Sequence, residues 1–391
     1  MTDPVVIVGG GAIGSAVAYF LVADPAFDGR VVVIERDPTY ARASSALSAS
    51  SIRQQFSTPI NIALSRFGLE FLRQAGSVLA IDGEPAPQLG LVEPGYLFLA
   101  SPAGVSTLED GHRIQRAHGA DVALLTPGGL RARFPWLATD GIAAGSLGLT
   151  GEGWFDGYAL LQALKRKARA LGAAYMTGEA VALERTGDRI AAVRLADGSR
   201  IACATVVNAA GPWAARVAAL AGIELPVRAR RRCVFVFACR AALPGCPLVI
   251  DPSGVWFRPE GAHFIGGVAP APDRDPDDAP LEPDWPLFDD VVWPALAARV
   301  PAFEAIKLQR AWAGYYEHNT LDQNGIVGRH PDIANLLFAN GFSGHGIQQS
   351  PGVGRAVAEL IVDQRYRTLD LTPLGFERIR AGAPLRERAI V

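Results

Sequence analysis

With 391 residues, 49% of them apolar and 19% charged, the chain has material for two hydrophobic cores, so a globular protein of two domains is the starting expectation. Its 37 basic and 39 acidic side chains leave a formal charge of -2, which excludes the long-range field that gathers nucleic acid or an anionic membrane and points to a small partner. No apolar run approaches the roughly 20 residues that span a bilayer.

The start, Met1-Thr2-Asp3-Pro4, lacks the basic region of an export signal, and the first apolar stretch runs straight into glycines as a buried strand does. Cys203, Cys233, Cys239 and Cys246 have neither a CxxC pair nor a metal-ligand rhythm and read as buried thiols in a reducing compartment. The expectation is a cytoplasmic protein, with peripheral membrane association left open; no oligomeric state follows from the sequence.

Val5 to Val8 reads as a strand, Ala12 to Leu21 as a helix, and Val31 to Ile34 as a second parallel strand that ends at Glu35. In this βαβ setting Gly9 permits a tight turn, Gly11 lets the backbone approach a pyrophosphate, and Gly14 lets the helix lie against the strand. The free N–H groups of the helix start, at Ala12 and Ile13, then face negative charge. Glu35, with Arg36 beside it, stands where its carboxylate can accept hydrogen bonds from an adenosine ribose. On this unit alone the nucleotide is either NAD or FAD.

Ser44, Ser45, Ser48, Ser50 and Ser51 precede Arg53, which suits contact with phosphate or a polyol chain and places a cation near a redox ring or a substrate carboxylate; a solvated serine-rich loop is the plainer alternative. Helical patterns follow over 60–79, 105–119 and 156–173, with a strand at 95–99 between the first two. Strands at 180–184 and 190–195 form a hairpin, and the strand at 204–207 leads into Asn208-Ala209-Ala210-Gly211-Pro212-Trp213. Ala180, Val181, Ala210, Gly211 and Trp213 are the candidate nucleotide contacts of this returning segment.

Arg228, Arg230, Arg231 and Arg232 read as a surface or interdomain crossing that opens a strand-rich region, with strands at 233–238, 255–258 and 263–267. The Asp- and Pro-rich stretch 270–290 reads as an exposed loop leading into a helix. A strand at 308–316 carries Tyr315 and Tyr316 on opposite sides, so at most one of them faces a cofactor. A buried strand at 336–339 ends in the turn Gly341-Phe342-Ser343-Gly344-His345-Gly346, whose N–H groups suit an electron-rich ring; a helix is expected from Val353 to Val362, introduced by Pro351 and Gly352.

Taken together, the glycine turn with Glu35, the 44–53 segment, Val206 to Trp213 and Gly341 to Gly346 resemble the FAD-dependent amino-acid and amine oxidoreductases of the D-amino-acid oxidase superfamily over nearly the full chain. Further stretches carry a narrower likeness: Glu152 to Asp156, Leu160-Leu161-Gln162, Trp312 to Tyr316, Asn319 to Gly325 and Gly341 to Gln349. These are similar to the FAD-dependent oxidoreductase domain-containing proteins linked to respiratory complex I assembly, and to bacterial relatives near sarcosine oxidase and dehydrogenase.

The resemblance implies an α/β plus α+β fold. A Rossmann-type FAD-binding domain (1–90, 145–225 and 325–391) would interleave with a substrate domain (91–144 and 226–324) containing a mixed, largely antiparallel sheet. It further implies noncovalent FAD and oxidation of the C–N bond of a small amino acid or N-alkyl amino acid by hydride transfer to flavin N5, with hydrolysis of the iminium product. The substrate would be a small carboxylate-bearing amine, the electron acceptor a carrier protein or quinone. An FAD-dependent 2-hydroxy acid dehydrogenase and a respiratory-complex assembly protein that retains FAD are the rivals.

Carried onto this sequence, the resemblance places Arg53 on an arginine that contacts flavin and carboxylate, and Tyr316 on an aromatic that flanks the substrate. Asp322 and Gly328 fall in the segment that returns toward the flavin. Gln348 and Arg258 are expected to help hold the carboxylate. Gly344, His345, Gly346, Ile347 and Gln348 border the flavin, with His345 touching the ring or only ordering the turn. Gly314 stands where monomeric sarcosine oxidases attach flavin through cysteine. Gln348 replaces a lysine that grips carboxylate, and Phe264, by ungapped matching, replaces a lysine that activates oxygen, which favours a dehydrogenase or a slow oxidase.

Overall fold

The structure, a computed structural model, describes residues 3–388; Met1 and Thr2, read above as part of a start without a basic leader, and the last three residues of the expected FAD-binding segment lie outside them. Val5–Val8 is buried along its whole length, as a parallel strand covered on both faces must be. It pairs in parallel with Val31–Glu35 on one side and Thr205–Asn208 on the other. Ala174–Thr177 extends this six-stranded sheet beyond Val31–Glu35, and Leu336–Asn340 with Ile326–Arg329 extends it beyond Thr205–Asn208. Helix Ala12–Val22 lies on the sheet and against helix Gly346–Val362. Glycine at 354 is what lets the two helices approach, since a Cβ there would stand 2.6 Å from that of Ala16.

The second layer is an eight-stranded mixed sheet, mostly antiparallel, in the order Lys307–Asn319, Val227–Ala238, His263–Gly267, Trp256–Glu260, Leu248–Ile250, Tyr96–Ala100, Ala144–Gly148 and Val122–Leu125. Side chains alternate between its faces. Phe235, Phe237, Phe257 and Phe264 pack with Phe303 and Leu296 on one side. Val234, Val236 and Ile265, and separately Tyr96, Leu248 and Ile250, form small apolar clusters on the other, toward Ala49 and Trp256. The strand Ala144–Gly148 straddles the boundary expected at 144/145, and its last four residues, Gly145 to Gly148, pair within this sheet and not with the nucleotide layer.

Two expectations about local structure need correction. Arg228, Arg230, Arg231 and Arg232 sit within the strand Val227–Ala238, which runs from Val227 in the nucleotide-side core to Cys233, Phe235 and Phe237 in the core of the eight-stranded sheet, so the crossing stands and the strand starts six residues before the expected Cys233. There the acidic loop balances them, through Arg232 with Asp275 at 2.8 Å, Arg230 with Asp277 at 2.9 Å and Arg231 with Asp284 at 3.3 Å. The last long helix begins at Gly346, seven residues before the start read from the sequence, and contains Pro351. Proline offers no N–H to the carbonyl of Ile347; the Ser350 hydroxyl, 2.9 Å from that oxygen, donates in its place.

No helix of the described residues is long and apolar enough to cross a membrane. The four cysteines are free thiols, three of them buried.

Candidate active site

Two adjoining cavities lie between the nucleotide sheet and the eight-stranded sheet. The larger, of about 640 Å³, runs along the glycine turn and is bordered by Gly9, Gly11, Ala12, Ile13, Glu35, Arg36, Ser44, Ser45, Ala180, Val181, Ala210, Gly211 and Trp213. Thus the expected nucleotide residues from five separate stretches of chain meet around one space. Gly9 adopts φ +105° with no room for a Cβ beneath the carbonyl of Ala209. Gly14 lines neither cavity: it is buried where a side chain would overlap the carbonyl of Gly9, so its part is helix-to-strand packing.

Glu35 is oriented by two backbone donors, Gly10 N–H at 2.8 Å and Asp37 N–H at 2.9 Å. The helix start is met by the serine loop: Ser45 Oγ accepts from the N–H of Ala12 at 3.0 Å, while the Ser44 hydroxyl donates to the carbonyl of Tyr315 at 2.6 Å. At the far end the Arg36 guanidinium lies 3.7 Å above the Trp213 ring, a cation–π stack that forms a flat wall. A long, glycine-floored groove that ends in a carboxylate and an aromatic wall fits a dinucleotide. Among the described residues no cluster of His, Cys, Asp and Glu could hold a metal.

The smaller cavity, of about 160 Å³, continues past Ser44 and Ser45 to Ser48, Arg53, Gly314, Tyr316, Gly344, His345, Gly346, Ile347 and Gln348, with Tyr96, Leu248, Ile250 and Trp256 of the sheet opposite. Arg53 is buried, at 3% exposure, and its guanidinium donates to the carbonyl of Gln55 at 2.6 Å and lies 3.0 Å from His345 Nε2. Phe56 supports it from 4.2 Å. Enclosure, then the Arg53 charge, hold the His345 imidazole down to about 3, although part of its surface still faces the cavity. The ring is therefore neutral at ordinary pH and positions Arg53.

Tyr316 and Tyr315 diverge as the strand pleat requires. Tyr315 hydroxyl is spent on the carbonyl of Ala279 at 2.6 Å, whereas the Tyr316 ring lies against Gly344 and 5.2 Å from the Arg232 guanidinium. Burial raises the Tyr316 phenol, which stays protonated. At Gly314 a Cβ would stand 2.9 Å from that of Leu47, so the position has neither a nucleophile nor space for one.

Three assignments change, those of Arg258, Phe264 and Asp322. Arg258 lines neither cavity; it is buried, donates to the carbonyls of Pro259 and Ala49 (2.9 and 2.7 Å) and pairs with Glu260, so it fastens the serine loop. Phe264 points into the helix-covered core, 5.0 Å from Phe303, and its neighbour Ile265, on the opposite face toward Ala49 and Trp256, lines neither cavity. Gln348 keeps its expected place on the smaller cavity while its Oε1 accepts from the N–H of Arg53 at 2.8 Å. Asp322 pairs with Arg378 at 2.7 Å and lines neither cavity.

Two buried acids went unnoticed in the sequence. Glu152 Oε1 accepts from the N–H groups of Gln54 and Gln55 (2.5 and 3.1 Å) and its Oε2 from the Gln55 amide at 2.8 Å, clamping the two residues that follow Arg53. Glu317 borders both cavities. Burial raises each carboxyl to about 7 against the hydrogen bonds that favour the anion. A signal for Glu317 existed: counting by twos from Ala313 and Tyr315 puts it on the buried side of the strand.

The family model described as FAD dependent oxidoreductase matches residues 4–360. The "FAD-dependent oxidoreductase domain-containing protein 1" of Xenopus laevis is 45% identical, over 99% of this chain and 84% of its own. The mitochondrial sarcosine dehydrogenase of Mus musculus is 27% identical over 93% of this chain and 40% of its own. Among solved structures, L-proline dehydrogenase from P. horikoshii superposes with a TM-score of 0.85 at 26% identity, covering 97% of this chain and 98% of that one. The chain belongs to this family of FAD-dependent oxidoreductases, and holds its FAD noncovalently.

Proposed function

We propose that the protein oxidises the C–N bond of a small amino acid or N-alkyl amino acid, with Arg53 holding the substrate carboxylate. The observation that carries this reading is a buried guanidinium bordering the smaller cavity, beside a neutral imidazole and the protonated Tyr316. A guanidinium at a cavity wall, shielded from water, offers a carboxylate charge-assisted, bidentate hydrogen bonds. The names of the relatives, sarcosine dehydrogenase and L-proline dehydrogenase, are consistent with such a substrate.

When bound, FAD supplies the two-electron acceptor. The protein's own part is to orient the substrate: Arg53 fixes the carboxylate, and the Tyr316 ring confines the amine. The substrate reacts as a free amine, whose lone pair assists departure of the α-hydrogen as hydride; the resulting iminium is hydrolysed by water. No strong base is required, and His345, neutral and set against Arg53, is not assigned as one.

The reading includes the expected division into an FAD-binding and a substrate domain, with Gly145 to Gly148 moved to the latter. It also includes a cytoplasmic location, which four free thiols suit, and a carrier protein or quinone as electron acceptor. The reading also includes a dehydrogenase or slow oxidase, as expected from the sequence. Anaerobic mixing with sarcosine, dimethylglycine, proline and D-amino acids is expected to bleach the flavin. Oxidised absorbance that persists across this panel would sink the reading, and bleaching by lactate or 2-hydroxyglutarate alone would replace it with hydroxy-acid oxidation.

A further inference from the structure

Among the described residues five line both cavities: Ala12, Ile13, Ser44, Ser45 and Glu317. The first four belong to the helix start and the serine loop, which suit phosphate and polyol, and Glu317 alone of the five ionises. Its side chain is 8% exposed. One oxygen accepts from the N–H of Gly341 at 3.1 Å, and its main-chain carbonyl accepts from Ser343 at 3.1 Å, tying it to the 341–346 turn. Glycines flank the carboxyl: a Cβ at Gly346 would stand 3.0 Å from Oε1, and one at Gly211 would stand 3.9 Å from Oε2.

Among the described residues no arginine, lysine or histidine is in ion-pair contact with this acid. Its partner across the strand pair is Ala229, and the 341–346 turn and the Gly211 turn present backbone to it. The nearest ionisable neighbours along the strands, His318, Arg228 and Arg230, fall on the opposite side of the pleat, where Asp275 and Asp277 meet the arginines. His345, at the head of the following helix, is neutral. An ionised carboxylate here would confront the FAD pyrophosphate in a passage shielded from water, whereas a carboxyl would donate a hydrogen bond to it or to the ribityl hydroxyls.

We propose that Glu317 holds the ribityl–phosphate stretch of FAD as a neutral hydrogen-bond donor, so that loading of FAD takes up a proton and FAD escapes as the solution turns alkaline. The proposal rests on the FAD assignment. The sign follows from burial and charge: without FAD the carboxyl loses its proton at about 7, and the adjacent pyrophosphate keeps it protonated to higher pH in the loaded protein. Affinity is then level below about pH 7 and falls by about tenfold per unit above it.

The test is dilution of holoenzyme at pH values from 6 to 9, with free FAD read by its fluorescence at equilibrium. The wild-type Kd is expected to rise about fiftyfold between pH 7 and 9. Glu317→Gln, which keeps a donor but cannot ionise, is expected to hold FAD equally, within about threefold, over the whole range. A wild-type Kd that stays level, or a glutamine variant with the wild-type slope, overturns the proposal. Should the variant not fold, calorimetric FAD binding by wild type at pH 8 in two buffers of different ionisation enthalpy decides: one proton taken up per FAD upholds the proposal and none overturns it. Protein that retains no FAD even at pH 6 overturns the FAD assignment and the proposal together.

Discussion

The backbone N–H of Arg53 donates to Gln348 Oε1 at 2.8 Å, stitching the serine loop to the first turn of the helix that follows the 341–346 segment. Gln348 thereby fixes where the arginine begins, His345 and the carbonyl of Gln55 fix where its guanidinium ends, and Glu152 holds the peptide units of Gln54 and Gln55 in between. The arginine is thus positioned at its backbone, at its guanidinium and through the residues that follow it.

Arg53→Met is expected to lower kcat/KM for carboxylate-bearing amines by roughly a hundredfold or more, the scale of losing one member of a buried charge-assisted pair. Uncharged amines should lose far less. Steady-state comparison of proline with pyrrolidine checks this; equal losses would mean that Arg53 serves the flavin and not the substrate.

Gly314→Cys should not create a flavin bond, because the new side chain meets Leu47 before it meets a cofactor. Overpacking of this kind costs about 1–3 kcal/mol, seen as a lowered melting temperature of the holoenzyme. Acid precipitation should leave all flavin in the supernatant; a yellow pellet would refute the steric argument.

Gly344→Ala places a methyl into the Tyr316 ring at a residue with φ +98°. Strain and collision act together there, and backbone strain alone costs about 1–3 kcal/mol. The purified variant is expected to carry much less flavin, read from the ratio of absorbance at the flavin band to that at the protein band. A full complement of flavin would mean that the 341–346 turn relaxes freely.

Glu152 links the site to pH through folding. Its folded carboxyl titrates at about 7, above the ordinary 4.5, so its stabilising neutral form is complete below the lower value and is lost as pH rises through the higher one. Relative to Glu152→Gln, wild type should lose about 3 kcal/mol between pH 4.5 and 7 and nothing further above. Denaturant unfolding of both proteins at pH 5 and pH 8 measures the difference, and parallel behaviour would contradict it.

The nucleotide half of the site was legible because its grammar is local: three glycines, a helix start and a glutamate fall within one βαβ unit, and their roles follow from spacing. The residues that misled depend on register. Phe264 was placed by matching without gaps, and in a strand an error of one position exchanges the two faces. Arg258 is an arginine on a strand near the cavity, and nothing in its neighbourhood in sequence announces that the carbonyl of Ala49, 209 residues away, has claimed it. Glu317 carried no signal but its place in the strand alternation, and its pairing opposite Ala229 puts it on the inward side. The helix start at Gly346 was hidden by Pro351, since the compensating hydroxyl of Ser350 is an arrangement of side chain and carbonyl that no propensity records.

The order in which the strands enter the nucleotide sheet bears on how the protein is made. Val5–Val8 emerges first, yet its neighbour Thr205–Asn208 arrives some 200 residues later, and Leu336–Asn340, which closes that flank, later still. The eight-stranded sheet is likewise incomplete until Lys307–Asn319 has been added. A growing chain therefore exposes unpaired strand edges through most of its synthesis, and assembles its cofactor groove only near the end. Shielding of nascent β-edges, and FAD present at the moment of release, are therefore expected to raise the folded yield.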